Sequence, residues 1–188
     1  MVRVFVAIEL EQPLKRVLLN MIDGLSASGR DVRWVRQEQM HLTLKFLGDV
    51  PDEKVAEVCD VCSEAAGGCR TFPLAIDRCG CFPPQGRVRV IWGGMATPPA
   101  ELIDCARRSE EGFEALGYAR ESRPFSAHMT IGRVRNDKTG GRLRGAVQGL
   151  TIGSASQTVE RLTVFQSTLQ PSGAQYTVLG QYPLGCGS

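Results

Sequence analysis

The 188-residue sequence predicts an α+β fold with two pseudo-symmetric lobes of mainly antiparallel sheet and flanking helices around a central cleft. Three observations point there. Short stretches of alternating hydropathy outnumber helical ones and follow one another through turn-forming residues, as hairpins require. Three other stretches carry apolar residues at helical spacing. The only two histidines, His41 and His128, open the same pattern far apart in the chain, His41-Leu42-Thr43-Leu44 and His128-Met129-Thr130-Ile131, so one site built from two similar halves is the economical arrangement. A single domain is expected over 1–188, one histidine motif coming from each half.

Val2, Val4, Val6, Ile8 and Leu10 alternate against Arg3 and Glu9 and read as a strand. Leu14, Val17, Leu18, Met21, Ile22 and Leu25 then form a helical stripe from about Pro13 to Ser28. Val32 to Val35 and His41 to Leu47 read as strands. Pro51 with Asp52 and Glu53 opens a second helix, whose stripe Val55, Val58, Cys59, Cys62, Ala65 is stopped by Gly67-Gly68. Phe72, Leu74 and Ile76 alternate, 82–86 turns the chain, and Val88, Val90 and Trp92 alternate on the return, which predicts a hairpin-like pair. Pro98-Pro99 opens a third helix carrying Leu102, Ile103, Ala106, Phe113 and Leu116. The second histidine strand runs from about Ala127 to Arg135. A glycine-rich polar loop with room for a short helix covers 136–149, and two last strands, near 160–169 and 175–182, join through Pro171-Ser172-Gly173.

Composition narrows the class. With 43% hydrophobic and 22% charged residues the chain is an ordinary globular protein. No apolar run reaches the roughly 18 residues that span a bilayer, and the alternating start is unlike a signal peptide, so a cytoplasmic protein without membrane association is expected. The net charge of +2 is unremarkable. Yet from Tyr118 to Arg144 seven basic residues face two acidic ones around His128, a local field that attracts polyanions. Seven cysteines cannot all pair within the chain. Cys59 and Cys62 have metal-like spacing, but they continue a helical stripe, where small buried residues are the simpler reading.

In an extended strand, residues i and i+2 share a face. Each histidine therefore projects with its threonine, while Leu42, Leu44, Met129 and Ile131 face apolar packing. Two imidazoles and two hydroxyls supply an acid, a base and neutral anion-binding donors, an inventory suited to phosphoester chemistry without a metal or other cofactor. No glycine loop ending in Lys-Ser/Thr is present to bind ATP.

These motifs, with Val4-Phe5-Val6-Ala7-Ile8, Val32-Arg33-Trp34-Val35, Lys45-Phe46-Leu47-Gly48, Arg123-Pro124-Phe125-Ser126 and the late Phe165-Gln166-Ser167, resemble the two-histidine (2H) phosphoesterase superfamily, and more closely its RNA 2′,3′-cyclic phosphodiesterase branch, historically called 2′-5′ RNA ligase. Two departures stand out. Ala127 and Ile131-Gly132 replace the family's usual proline before the histidine and Leu-Ala before the arginine.

The resemblance implies hydrolysis of an RNA 2′,3′-cyclic phosphate end to a 2′-phosphomonoester, with His41 as acid toward O3′ and His128 as base. It also implies phosphate contacts from Thr43, Thr130 and Arg133. The sequence by itself does not orient the two histidines. A bell-shaped pH dependence follows from paired groups whose ordinary pKa is about 6.5. Phe46 is a candidate for stacking on a base, and Phe125 and Trp34 are weaker ones. Parity poses a difficulty, because 133 is odd relative to 128 and 46 relative to 41, so a regular strand would turn Arg133 and Phe46 away from the histidines. A strand end, a twist or a bulge must intervene.

RNA with a cyclic phosphate end is the expected partner of a monomer that needs no protein partner. Reversible 2′-5′ RNA ligation without ATP is a further expectation. The rival readings are another cyclic nucleotide or a 2′,5′-linked oligonucleotide as substrate, a non-catalytic RNA-end-binding protein, and a metal-dependent hydrolase.

Overall fold

In the computed structural model, residues 1–29, 31–139, 141–171 and 173–185 are described. They form ten strands and four α-helices: β1 (Val2–Glu9), α1 (Gln12–Ser26), β2 (Val32–Trp34), β3 (His41–Val50), α2 (Val55–Gly67), β4 (Phe72–Ile76), β5 (Arg78–Phe82), β6 (Val90–Gly94), α3 (Ala100–Ala115), β7 (His128–Val134), α4 (Arg142–Gln148), β8 (Ala155–Val159), β9 (Arg161–Gln170) and β10 (Gly173–Pro183). Short 3-10 turns at Gln37–Gln39 and Asp52–Lys54 lead into β3 and α2. No helix among them is long and apolar enough to cross a membrane.

The helices follow their stripes. All six apolar residues expected on α1 are buried, each contributing about 2 kcal/mol by leaving water. In α2, Val58, Cys62 and Ala65 are buried, with Ala66 beside them. In α3, Leu102, Ala106 and Phe113 are buried, but Ile103 is 43% exposed and Cys105 and Ser109 take the inward positions. Ile103 directly follows Leu102, about 100° further around the helix, and falls outside the buried stripe.

Every strand pair is antiparallel. One four-stranded sheet has the order β10-β9-β1-β3, a second has β2-β7-β6-β5, and β4 pairs with β8 in a two-stranded third. One histidine strand lies in each large sheet. The hairpin expected between 72–76 and 88–92 is not formed. β4 pairs with β8 instead, Phe72 opposite Val159, and the hairpin partner of β6 is β5. Both unexpected strands lack a strong pattern. β5 reads Arg-Cys-Gly-Cys-Phe, with a glycine at its centre, and β8 reads Ala-Ser-Gln-Thr-Val.

A long-range contact holds β8. Its buried Gln157 accepts from the Glu11 backbone N–H at 2.7 Å and donates to the Glu9 carbonyl at 2.9 Å, tying β8 to the β1–α1 junction. α4, inside the stretch read as mainly loop, buries Leu143 and Val147 one turn apart. The turn expected at Pro171-Ser172-Gly173 includes Ser172, which lies outside the described residues, as does Cys186. The six described cysteines are free thiols. Among the described residues no three His, Cys, Asp or Glu side chains gather as a metal site would need.

Candidate active site

Both histidine strands carry the same irregularity. In β3, Thr43 pairs with Ala7 and Lys45 with Val6, so Leu44 is an extra residue. In β7, Thr130 pairs with Trp92 and Gly132 with Ile91, so Ile131 is extra. A bulge of one residue reverses the facing of everything after it. Burial follows suit, with the two strands running alike from each histidine through half-buried, buried, half-buried, buried, buried, exposed. The inward pair is Leu44-Lys45 in one strand and Ile131-Gly132 in the other. Phe46 and Arg133 are thereby returned to the histidine face, which resolves the parity difficulty by the same device twice.

An inward lysine needs compensation. Lys45, 2% exposed, donates to Glu110 at 2.6 Å and to the Ala119 carbonyl at 2.7 Å, and the same Glu110 oxygen accepts the Glu121 N–H at 2.7 Å. This fastens β3 to α3 and to the chain entering β7. At the equivalent place on β7, Gly132 leaves room for Val32 and Trp34.

His41, Thr43, Phe46, His128, Thr130 and Arg133 all line one cleft of about 300 Å³, so the six residues singled out from the sequence come together. A larger hollow of about 460 Å³, between the end of α1 and the start of α4, contains no histidine, so size does not identify the site. The His41 Nδ1 lies 2.8 Å from the Gln39 carbonyl and the His128 Nδ1 2.8 Å from the Ser126 carbonyl. Because a carbonyl only accepts, each Nδ1 carries its proton and donates, which leaves Nε2 of each neutral ring free to accept. Both rings are steadied by aromatics. Phe5 lies 4.8 Å and Tyr176 5.2 Å from the centre of His41, and Phe82, itself stacked on Trp92, stands edge-on to His128 at 5.1 Å.

This enclosure sets charge states. Burial pushes the pKa of His41 down to about 4, the Gln39 carbonyl partly opposes this, and the positive charge of Arg133 adds to it. His41 is therefore neutral at neutral pH. Tyr176 is pushed up by burial, with Arg133 opposing. The guanidinium of Arg3 lies 4.9 Å from the centre of the Phe46 ring, whose side chain is 42% exposed.

The sequence reading missed Phe5, Arg33, Gln39, Ser167, Ala174 and Tyr176, which also line the cleft. A signal existed for Phe5. β1 is apolar at both parities, with Val4, Val6 and Ile8 in the main core and Phe5 and Ala7 in a smaller cluster with Phe165 and Tyr176, so its second face needed a partner. Trp34 lines the cleft and Phe125 does not.

Two large antiparallel sheets each present an anchored imidazole and a threonine to one cleft, the groups that phosphoester chemistry could use. The family model described as LigT like Phosphoesterase matches residues 8–92. A Methanothermobacter thermautotrophicus protein named RNA 2′,3′-cyclic phosphodiesterase is 31% identical, over 94% of this chain and 95% of its own length. The crystal structure of E. coli LigT in apo form superposes with a TM-score of 0.77 at 25% identity, covering 98% of each chain. E. coli LigT complexed with 3′-AMP gives a TM-score of 0.74 at 27% identity, over 97% of this chain and 98% of that one. The chain belongs to the LigT-like phosphoesterase family, within the 2H superfamily, and is a hydrolase.

Proposed function

We propose that this protein hydrolyses RNA 2′,3′-cyclic phosphate ends to 2′-phosphomonoesters by metal-independent two-histidine acid–base catalysis. The observation that carries the reading is the matched anchoring of His41 and His128, each held at Nδ1 with Nε2 free in one cleft beside its own threonine. The names borne by the relatives support the substrate class. His128 takes a proton from the attacking water and His41 gives one to the leaving O3′. Thr43, Thr130 and Arg133 hold the non-bridging oxygens, the last with a forked guanidinium that can bind two at once. Phe46 offers its ring to the terminal base.

His41 is neutral in the unliganded cleft through burial and Arg133. A bound phosphate anion counters the charge of Arg133, so His41 acquires its proton with the substrate and carries it to the leaving oxygen. With the 5′-hydroxyl of a second RNA in place of water, the same two histidines open the cyclic ester, O3′ leaving, to give a 2′-5′ linkage without ATP.

The test is a short RNA ending in a 2′,3′-cyclic phosphate, incubated in chelator with the wild type, His41→Ala and His128→Ala, followed by identification of the terminal phosphate. A 2′-phosphate from the wild type alone is expected. An intact cyclic end, or hydrolysis only after metal is restored, refutes the proposal.

A further inference from the structure

Arg33 stands directly opposite Arg133 across the β2–β7 ladder. Neighbours placed so hold their Cβ atoms about 5 Å apart, and like charges at that spacing repel. Both side chains are exposed and both line the histidine cleft. Among the described residues no carboxylate forms an ion pair with either. Two facing guanidiniums without a counter-charge are unfavourable as scaffold, and bound anions relieve the repulsion.

The two arginines occupy different stations. Arg133 is close enough to His41 for its charge to act on that ring. Arg33 lies one strand further out, about 4.8 Å across the sheet, on the edge strand β2. There the β9–β10 hairpin approaches: a methyl carbon added to Gly173 would come within 3.1 Å of Arg33 Nη2, 3.2 Å of Arg36 Nη2 and 3.2 Å of Gln39 Nε2. Gln39 Nε2 donates to the Ala174 carbonyl at 2.6 Å, and the Arg36 guanidinium pairs with Glu38 through Nε at 3.4 Å. Arg33 takes part in none of the described side-chain hydrogen bonds or ion pairs.

We propose that Arg33 binds the phosphodiester on the 5′ side of the terminal nucleotide, so that the enzyme selects the end of a polynucleotide over a free nucleoside 2′,3′-cyclic phosphate. This rests on the reading that an RNA end occupies the cleft. A terminal nucleotide carries its cyclic phosphate on one edge of the ribose and its 5′-phosphate beyond the other, so the second anion lies one sugar away from the first. Arg33, one strand out from Arg133 in the same cleft, supplies a second cation for that second anion, and a guanidinium suits a phosphodiester because it can donate to two oxygens.

The experiment compares kcat/KM for adenosine 2′,3′-cyclic phosphate, for the dinucleotide ApA ending in a 2′,3′-cyclic phosphate, and for that dinucleotide with a neutral methylphosphonate at its internal linkage, in the wild type and Arg33→Gln. The wild type should favour the charged dinucleotide over its methylphosphonate by about tenfold, the effect of one charge-assisted contact. In Arg33→Gln this ratio, and the dinucleotide-to-mononucleotide ratio, should fall toward one. An equal methylphosphonate penalty in both proteins overturns the proposal. So does a wild type indifferent to the methylphosphonate, a result that does not depend on the variant folding.

If the wild type cleaves none of the three, the proposed activity fails on its own. Equilibrium binding of fluorescein-labelled ApA ending in a 2′-phosphate, charged or methylphosphonate-linked, then decides the fate of the Arg33 site by the same ratio.

Discussion

His41 should make the protein acid-sensitive in a defined window. Its pKa is about 4 in the folded chain, against about 6.5 when unfolded. Between those values the unfolded state binds the extra proton, so stability is lost as pH falls from 6.5 to 4, and above 6.5 the residue contributes no pH dependence. The full effect is at most about 3 kcal/mol, since one pH unit of difference is worth about 1.4 kcal/mol and the ring keeps a window on cleft water; about 2 kcal/mol is lost by pH 5. Urea unfolding of the wild type and His41→Asn at pH 7, 6, 5 and 4 isolates it, because every other titrating group is common to both. The stability of the wild type relative to the variant should decline along that curve. Imidazole nitrogen NMR supplies the direct reading, helped by there being only two histidines to assign. A His41 midpoint near 6.5 with no divergence between the proteins would refute the reasoning.

Further outcomes follow from the same geometry. Arg133→Gln should raise the His41 midpoint by removing a facing cation and lower kcat/KM by about a hundredfold or more; a loss of only a few-fold would count against its proposed phosphate contact. Thr43→Val and Thr130→Val should each slow cyclic phosphate hydrolysis by about tenfold, the effect of one hydrogen bond, with urea midpoints that stay near wild type. Lys45→Met, which strands Glu110 without its partner, should cost about 3 kcal/mol in urea unfolding, and Lys45→Met with Glu110→Leu should recover most of it. Inorganic phosphate should raise the His41 midpoint by at least about one pH unit, seen by the same NMR titration.

The histidine pair was legible because it was rare and repeated. With two histidines in the chain, both followed by threonine two places on, strand periodicity alone put four side chains on cleft-facing positions. Arg133 and Phe46 were legible only as contradictions. Their positions were right and their parity wrong, since a bulge is a choice of backbone register that no residue type announces. β8 was invisible for a related reason. Its central buried residue is Gln157, which becomes an inside residue only because Glu9 and Glu11 offer it a carbonyl and an N–H from the far end of the chain. Arg33 lies on a strand whose role depends on a neighbour, Arg133, from a distant part of the sequence, and the hairpin that carries Tyr176 reaches the cleft only through the pairing of β9 with β1. Local pattern reports what a segment can bury; it is silent on which remote partner arrives.

The twin bulges have a consequence for the division of labour between the two imidazoles. They deliver the fifth residue after each histidine to the same relative place, yet one is an aromatic ring and the other a cation. The two strands thus repeat one backbone pattern while displaying different side chains. On the proposed substrate, a fully matched pair of lobes would bind the end in two equivalent ways, the two imidazoles exchanging the acid and base roles. A stacking face on one flank and a forked donor on the other make the two ways unequal, which on the proposed reading fixes which imidazole faces the leaving oxygen.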